Sequence, residues 1–83
     1  MTIRLKTVCP ELLGRLPDGE YAVTDGCAAL QALRECMEAA GFPPLPPAQM
    51  AQLVYMCNSR HIKPETPLGA GDRLTVLRPL TGG

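Results

Sequence analysis

The stretch Leu77-Arg78-Pro79-Leu80-Thr81-Gly82-Gly83 holds the residues best suited to chemistry. Gly82 and Gly83 have no side chains. They can thread a narrow channel and adopt backbone conformations closed to other residues. A carboxylate on Gly83 would be as unhindered as a peptide carboxylate can be, which suits a group that another enzyme must attack or activate. Pro79 cannot donate to a sheet ladder, so it helps to end a strand and stiffens the base of the tail. Five extended residues reach roughly 17 Å, enough to pass from one protein surface into the pocket of another. The other reading is a frayed terminus, the ordinary fate of chain ends. The tail alone supports both.

Other chemistry-bearing residues form no such group. His61 is the single histidine, and no Ser or Cys stands at a spacing that would make it a catalytic base. The four cysteines, Cys9, Cys27, Cys36 and Cys57, contain no C-x-x-C pair, which argues against a zinc site. They read as small buried hydrophobes in a reducing compartment, with Cys9, before Pro10, the most exposed thiol. Asp18, Glu20, Asp25, Glu35 and Glu38 read as caps and solvated faces, and no two of them form an acid/base couple. The glycines of "GAGD" are too few, and wrongly placed, for a phosphate-cradling loop that opens a helix. No metal site and no bound cofactor are expected.

Eighty-three residues point to one domain with little room for a deep active site. A hydrophobic content of 46% places the chain among globular domains, not disordered ones. With one Phe, two Tyr and no Trp, the core must be aliphatic. Eight basic residues balance eight acidic ones, and no segment is strongly basic, so nucleic acid is not an expected partner. "MTIRLKTV" alternates where a secretory leader would be continuously apolar. No run approaches the roughly 20 apolar residues of a membrane span. A cytoplasmic location is the expectation.

The elements that must position the tail follow from periodicity. "TIRLKTV" puts Ile3 and Leu5 on one face and Arg4 and Lys6 on the other, as a half-buried strand does. "LPDGEYAV" supplies a turn and a short strand through Tyr21 and Val23, pairing with the first as an antiparallel hairpin. A helix follows in "TDGCAALQALRECMEAAG". Thr24 and Asp25 are its candidate N-caps, Leu30, Leu33 and Met37 its apolar stripe, and Ala29, Cys36 and Ala40 widen that stripe. Gln31, Arg34, Glu35 and Glu38 lie mainly on the other side. Gly41 stops it. "FPPLPP" reads as a stiff extended connector, and "AQMAQL" as one helical turn. "LVYMCN" reads as a buried strand, Asn58-Ser59 as a turn and "RHIKP" as a short return. Gly69, Gly71 and Asp72 make a turn before a last strand in which Leu74 and Val76 face the core. Leu77 then falls on or near the outer face. The expected fold is α+β, a mixed sheet of four to five strands with one main helix packed across it, the β-grasp arrangement. Residues 1–78 form the domain and 79–83 a flexible tail.

The closing segment "TPLGAGDRLTVLRPLTGG" resembles that of the MoaD/ThiS family of ubiquitin-like sulfur carriers. "LVYMCNSR" is similar to the preceding strand of that family, with Asn58 opening its turn. "MTIRLKTV" and "CAALQALREC" fit its first strand and helix. The resemblance covers most of the chain and is weakest in the proline-rich middle. It implies a carrier or co-substrate, not an enzyme. An ATP-dependent adenylating enzyme would activate the Gly83 carboxylate, and sulfur would replace AMP to leave a thiocarboxylate. ATP is used by that partner, and a sulfur donor is a second partner. Gly82, Thr81, Leu80, Pro79, Arg78 and Leu77 would contact the activating enzyme. The length and the connector after the helix favour the molybdopterin branch, where the chain would be the small, non-catalytic subunit of molybdopterin synthase beside a large one. A carrier for the thiamin thiazole and a protein modifier joined through Gly83 are the alternatives.

Overall fold

The computed structural model describes residues 1–8, 16–43 and 45–78. The elements are β1 (Thr2–Val8), β2 (Gly19–Ala22), α1 (Ala29–Ala39), α2 (Pro47–Gln52), β3 (Val54–Cys57), β4 (Arg60–Ile62) and β5 (Arg73–Leu77). They form one five-stranded sheet in the order β2-β1-β5-β3-β4. Only β1 and β5 pair in parallel; the other pairs are antiparallel. The sheet is therefore mixed, with α1 across one face, as the alternation and the helical stripe predict. The last strand of the chain sits at the centre of the sheet.

The core lies between α1 and the inner sheet face. Ile3, Leu5, Leu74 and Val76 point into it from the two central strands, each 0–1% exposed. From α1 come Ala29, Ala32, Leu33, Cys36 and Met37, all buried. Leu30 is only partly buried, and Ala32 belongs to the contact face in a way the leucine spacing did not show. Small side chains at 29, 32 and 36 let the helix approach the sheet closely. Tyr55 is the largest wholly buried side chain, and its hydroxyl donates to the Met50 carbonyl at 2.8 Å. That bond satisfies a polar group that would otherwise be costly to bury, and it ties α2 to β3.

Neither Thr24 nor Asp25 caps α1. The N-cap is Ala28, in extended conformation with no side-chain bond. The first-turn N–H groups of Ala29 and Leu30 instead donate to the Thr66 and Pro64 carbonyls, both at 2.9 Å. A distant loop thus satisfies the donors that a side chain usually takes. Thr24 acts as a donor, through its backbone N–H and its hydroxyl, to the Glu35 carboxylate at 2.9 and 3.0 Å. Asp25 pairs with the Met1 ammonium.

Gly41 does end the helix, at φ +80°, with its N–H to Glu38 and the Phe42 N–H to Met37. This is the Schellman pattern that closes helices. The proline connector is shorter than expected, because Pro47 already opens α2. There its missing N–H costs nothing, since first-turn donors have no helical partner. The strand in "LVYMCN" is not buried throughout. Only Tyr55 is buried in β3, because the helix covers one face of the sheet and leaves the other open. Cys9 and Pro10 lie outside the described residues.

Candidate functional site

β5 carries Leu77 and leads directly to Arg78, and its placement is fixed at both ends. At its start, Gly69-Ala70-Gly71-Asp72 forms a turn in which Gly71 takes φ +80°, a conformation that favours glycine. The Asp72 carboxylate accepts from the Gly69 N–H at 2.7 Å and from the Asn58 side-chain amide at 3.1 Å. The Asn58 side-chain oxygen in turn accepts from the Arg73 N–H at 3.0 Å, and the Asn58 N–H donates to the Arg73 carbonyl at 2.9 Å. These donors, the Gly69 N–H first and the Asn58 amide next, hold the Asp72 carboxyl below its ordinary range. Two further backbone bonds, Gly71 N–H to Thr2 and Arg4 N–H to Asp72, lock the turn to β1. The β3–β4 turn and the start of β5 are thereby one clasp.

At the other end, register decides what surrounds the exit. Leu77 pairs with Val8 of β1 on one side and with Val54 of β3 on the other. All three share the face opposite the helix, since neighbours along a strand alternate. Leu77 and Val54 are half-buried. Val8 is 48% exposed, the one large hydrophobic so exposed among the described residues. Met56, one step along β3, is half-buried on the same face. The outer sheet face thus ends in an apolar row where β5 ends. Arg78, the next residue, is exposed. Sequence reasoning placed Leu77 near this face but missed Val8 and Val54. The signal for Val8 was its parity: it is the one apolar residue in phase with Arg4 and Lys6. Pro79, Leu80, Thr81, Gly82 and Gly83 lie outside the described residues.

The remaining chemical candidates stay apart. His61 is exposed on β4, opposite Met56. Cys27, Cys36 and Cys57 are free thiols. Burial pushes the Cys36 thiol up to about 12. Burial also raises Cys27, with the Glu35 charge adding to it. Cys57 is raised by burial and by the neighbouring Asp72 carboxylate. All three are protonated at neutral pH, and a protonated thiol is a poor nucleophile. Among the described residues no three His, Cys, Asp or Glu side chains gather as a metal site. Nor is any described helix long and apolar enough to cross a membrane.

No protein-family model matches the chain, and no curated protein matches it in sequence. Solved structures do. The crystal structure of SAMP1 from Haloferax volcanii superposes with a TM-score of 0.64 at 18% identity, over 100% of each chain. A crystal structure of the H. volcanii small archaeal modifier protein 1 gives 0.68 at 17% identity, over 95% of this chain and 98% of that one. Together with the five-stranded mixed sheet and the single main helix, this likeness makes the fold a ubiquitin-like β-grasp.

Proposed function

We propose that the chain is a ubiquitin-like sulfur carrier that works through the carboxylate of Gly83. The observation that carries the reading is the exit of β5. The sheet's central strand ends at Leu77 beside the apolar row of Val8, Leu77 and Val54, and the sequence continues through Pro79 to Gly82 and Gly83. A partner can hold the apolar row while the glycines enter its active site.

The chemistry asks little of the carrier itself. A carboxylate is a poor electrophile, because its charge is delocalised and its oxygen is a bad leaving group. An oxygen of Gly83 would attack the α-phosphate of ATP and release pyrophosphate. Hydrosulfide, or a donor equivalent to it in oxidation level, would then attack the acyl carbon of the adenylate and expel AMP, leaving the thiocarboxylate. The clasp at Asn58 and Asp72 holds β5 in register, and the apolar row supplies the docking surface. Gly82 leaves the path to the carbonyl clear. Catalysis belongs to the adenylating partner, which binds the ATP. The recipient we propose is the molybdopterin precursor, because the length and the connector after the helix favour that branch of the MoaD/ThiS family.

A second reading has its own support. One of the Haloferax structures bears the name of a modifier protein, and both match over nearly the whole chain. A modifier would pass the same activated Gly83 carbonyl to a lysine amine. Deleting Gly83 and measuring ATP–pyrophosphate exchange by the adenylating enzyme of the source organism tests both readings. Exchange should vanish with the deletion. Unchanged exchange would remove the tail from the mechanism. With the intact chain, a ladder of ATP-dependent conjugates would favour the modifier, and one modified carrier species the sulfur carrier.

A further inference from the structure

The outer sheet face has a second end, away from the apolar row. There Arg4 of β1 lies directly opposite Arg73 of β5, with Lys6 one step further along the same face of β1. All three are exposed. Neighbouring strands run about 4.8 Å apart, so two guanidinium groups share one row. Like charges placed opposite each other destabilise a sheet. One anion partly offsets them: Glu20, opposite Arg4 across β2, meets its guanidinium at 3.4 Å. Lys6 and Arg73 have no acidic partner among the described residues. The chain as a whole is neutral, so this concentration of positive charge is local.

The surface is also shaped. A groove of about 680 Å³ runs past Arg4, Glu20, Gly71 and Arg73. A second, of about 310 Å³, lies over Arg4, Lys6, Ser59, Arg73 and Thr75. Arg4 and Arg73 line both. Cross-strand repulsion between Arg4 and Arg73 opposes folding, with the Arg4–Glu20 pair as a partial offset, and the grooves give a ligand room beside the row.

We infer that the Arg4–Lys6–Arg73 surface docks an acidic segment of a partner protein. Arginine presents a planar fork that grips carboxylates with two parallel bonds. Two such forks beside a lysine fit a short run of Asp and Glu side chains. A nucleic acid would need a longer basic track, and the bases would need aromatic platforms, whereas the two tyrosines and one phenylalanine are not on this face. The surface continues into the apolar row through Thr75 and Met56. One partner can therefore meet charge at one end of the sheet and apolar side chains at the other. The inference does not rest on the chemistry of Gly83.

The test is an amide chemical-shift titration of the full chain with a hexa-glutamate peptide at low salt, beside inorganic phosphate and a single-stranded oligonucleotide. Shifts from the peptide should centre on Arg4, Lys6, Ser59, Arg73 and Thr75. Raising the salt should weaken binding. Arg73→Glu and Lys6→Glu should each weaken it about tenfold, as expected for loss of a charge-assisted contact. Because Arg73→Glu also relieves the cross-strand repulsion, it should unfold no sooner than the wild type, so loss of binding cannot be put down to loss of fold. Shifts centred elsewhere, no binding, or phosphate or the oligonucleotide binding as well as the peptide would overturn the inference.

Discussion

Replacing Asp72 by alanine should loosen the start of β5. The carboxylate accepts bonds from the Gly69 N–H and the Asn58 amide, with the Cys57 thiol a weaker donor beside them. Hydrogen bonds to charged groups contribute about 1.5–3 kcal/mol each, and this site is partly exposed, so water can replace part of what is lost. The expected cost is about 2 kcal/mol in all, read from urea unfolding followed by circular dichroism. For a domain of this size that is a fall in Tm near 10 °C. The pH dependence gives a second check. The folded-state carboxyl is held below its ordinary range by those donors. A depressed carboxylate stabilises fully above its unfolded pKa, near 3.9, and loses that contribution as the pH falls through the folded value. The gap between wild type and Asp72→Ala should therefore be constant from neutral pH down to about 5 and close below about 4. Equal stability at neutral pH would mean that the Asp72 carboxylate does not hold the turn. So would a gap that persists undiminished at about pH 2.

Three further outcomes are expected. Ser59→Gly should stabilise the domain by about 0.5–1 kcal/mol, because Ser59 sits at φ +70° beside Asn58 at +52°, and a two-residue hairpin of this kind favours Asn-Gly; thermal unfolding reads it. Leu77→Glu should leave the circular dichroism spectrum unchanged yet slow activation by the adenylating enzyme about tenfold or more, as for an apolar docking residue; loss of the fold would make Leu77 core instead. Cys36, wholly buried with its thiol raised to about 12, should resist alkylation in the native protein at neutral pH and react after denaturation, as peptide mass mapping would show.

Legibility in the sequence followed the range of the interaction. Period-two alternation in "TIRLKTV" and "RLTVL" displayed both central strands, and Gly41 marked the end of α1, because each signal lies within a few residues. The start of α1 was misread for the opposite reason. Thr24 and Asp25 are the nearest oxygen-bearing side chains, but the bonds come from Pro64 and Thr66, more than thirty positions away. The same limit hid the apolar row. Val8, Val54 and Leu77 meet only through strand order and register, and no local window contains them. Pro47 was legible in principle, since proline suits the first helical position, but three neighbouring prolines masked it. Tyr55 shows the reverse case, where one residue ties two elements that the sequence displayed separately.

Conversion of the Gly83 carboxylate to a sulfur donor is read most directly by incubating the chain with the adenylating enzyme, ATP and a sulfur source and measuring its intact mass. The expected product is heavier by the difference between one sulfur and one oxygen, with fragment ions placing the change on Gly83. A mass that is unchanged while ATP is consumed, or added sulfur that resides on a cysteine, would rule that conversion out.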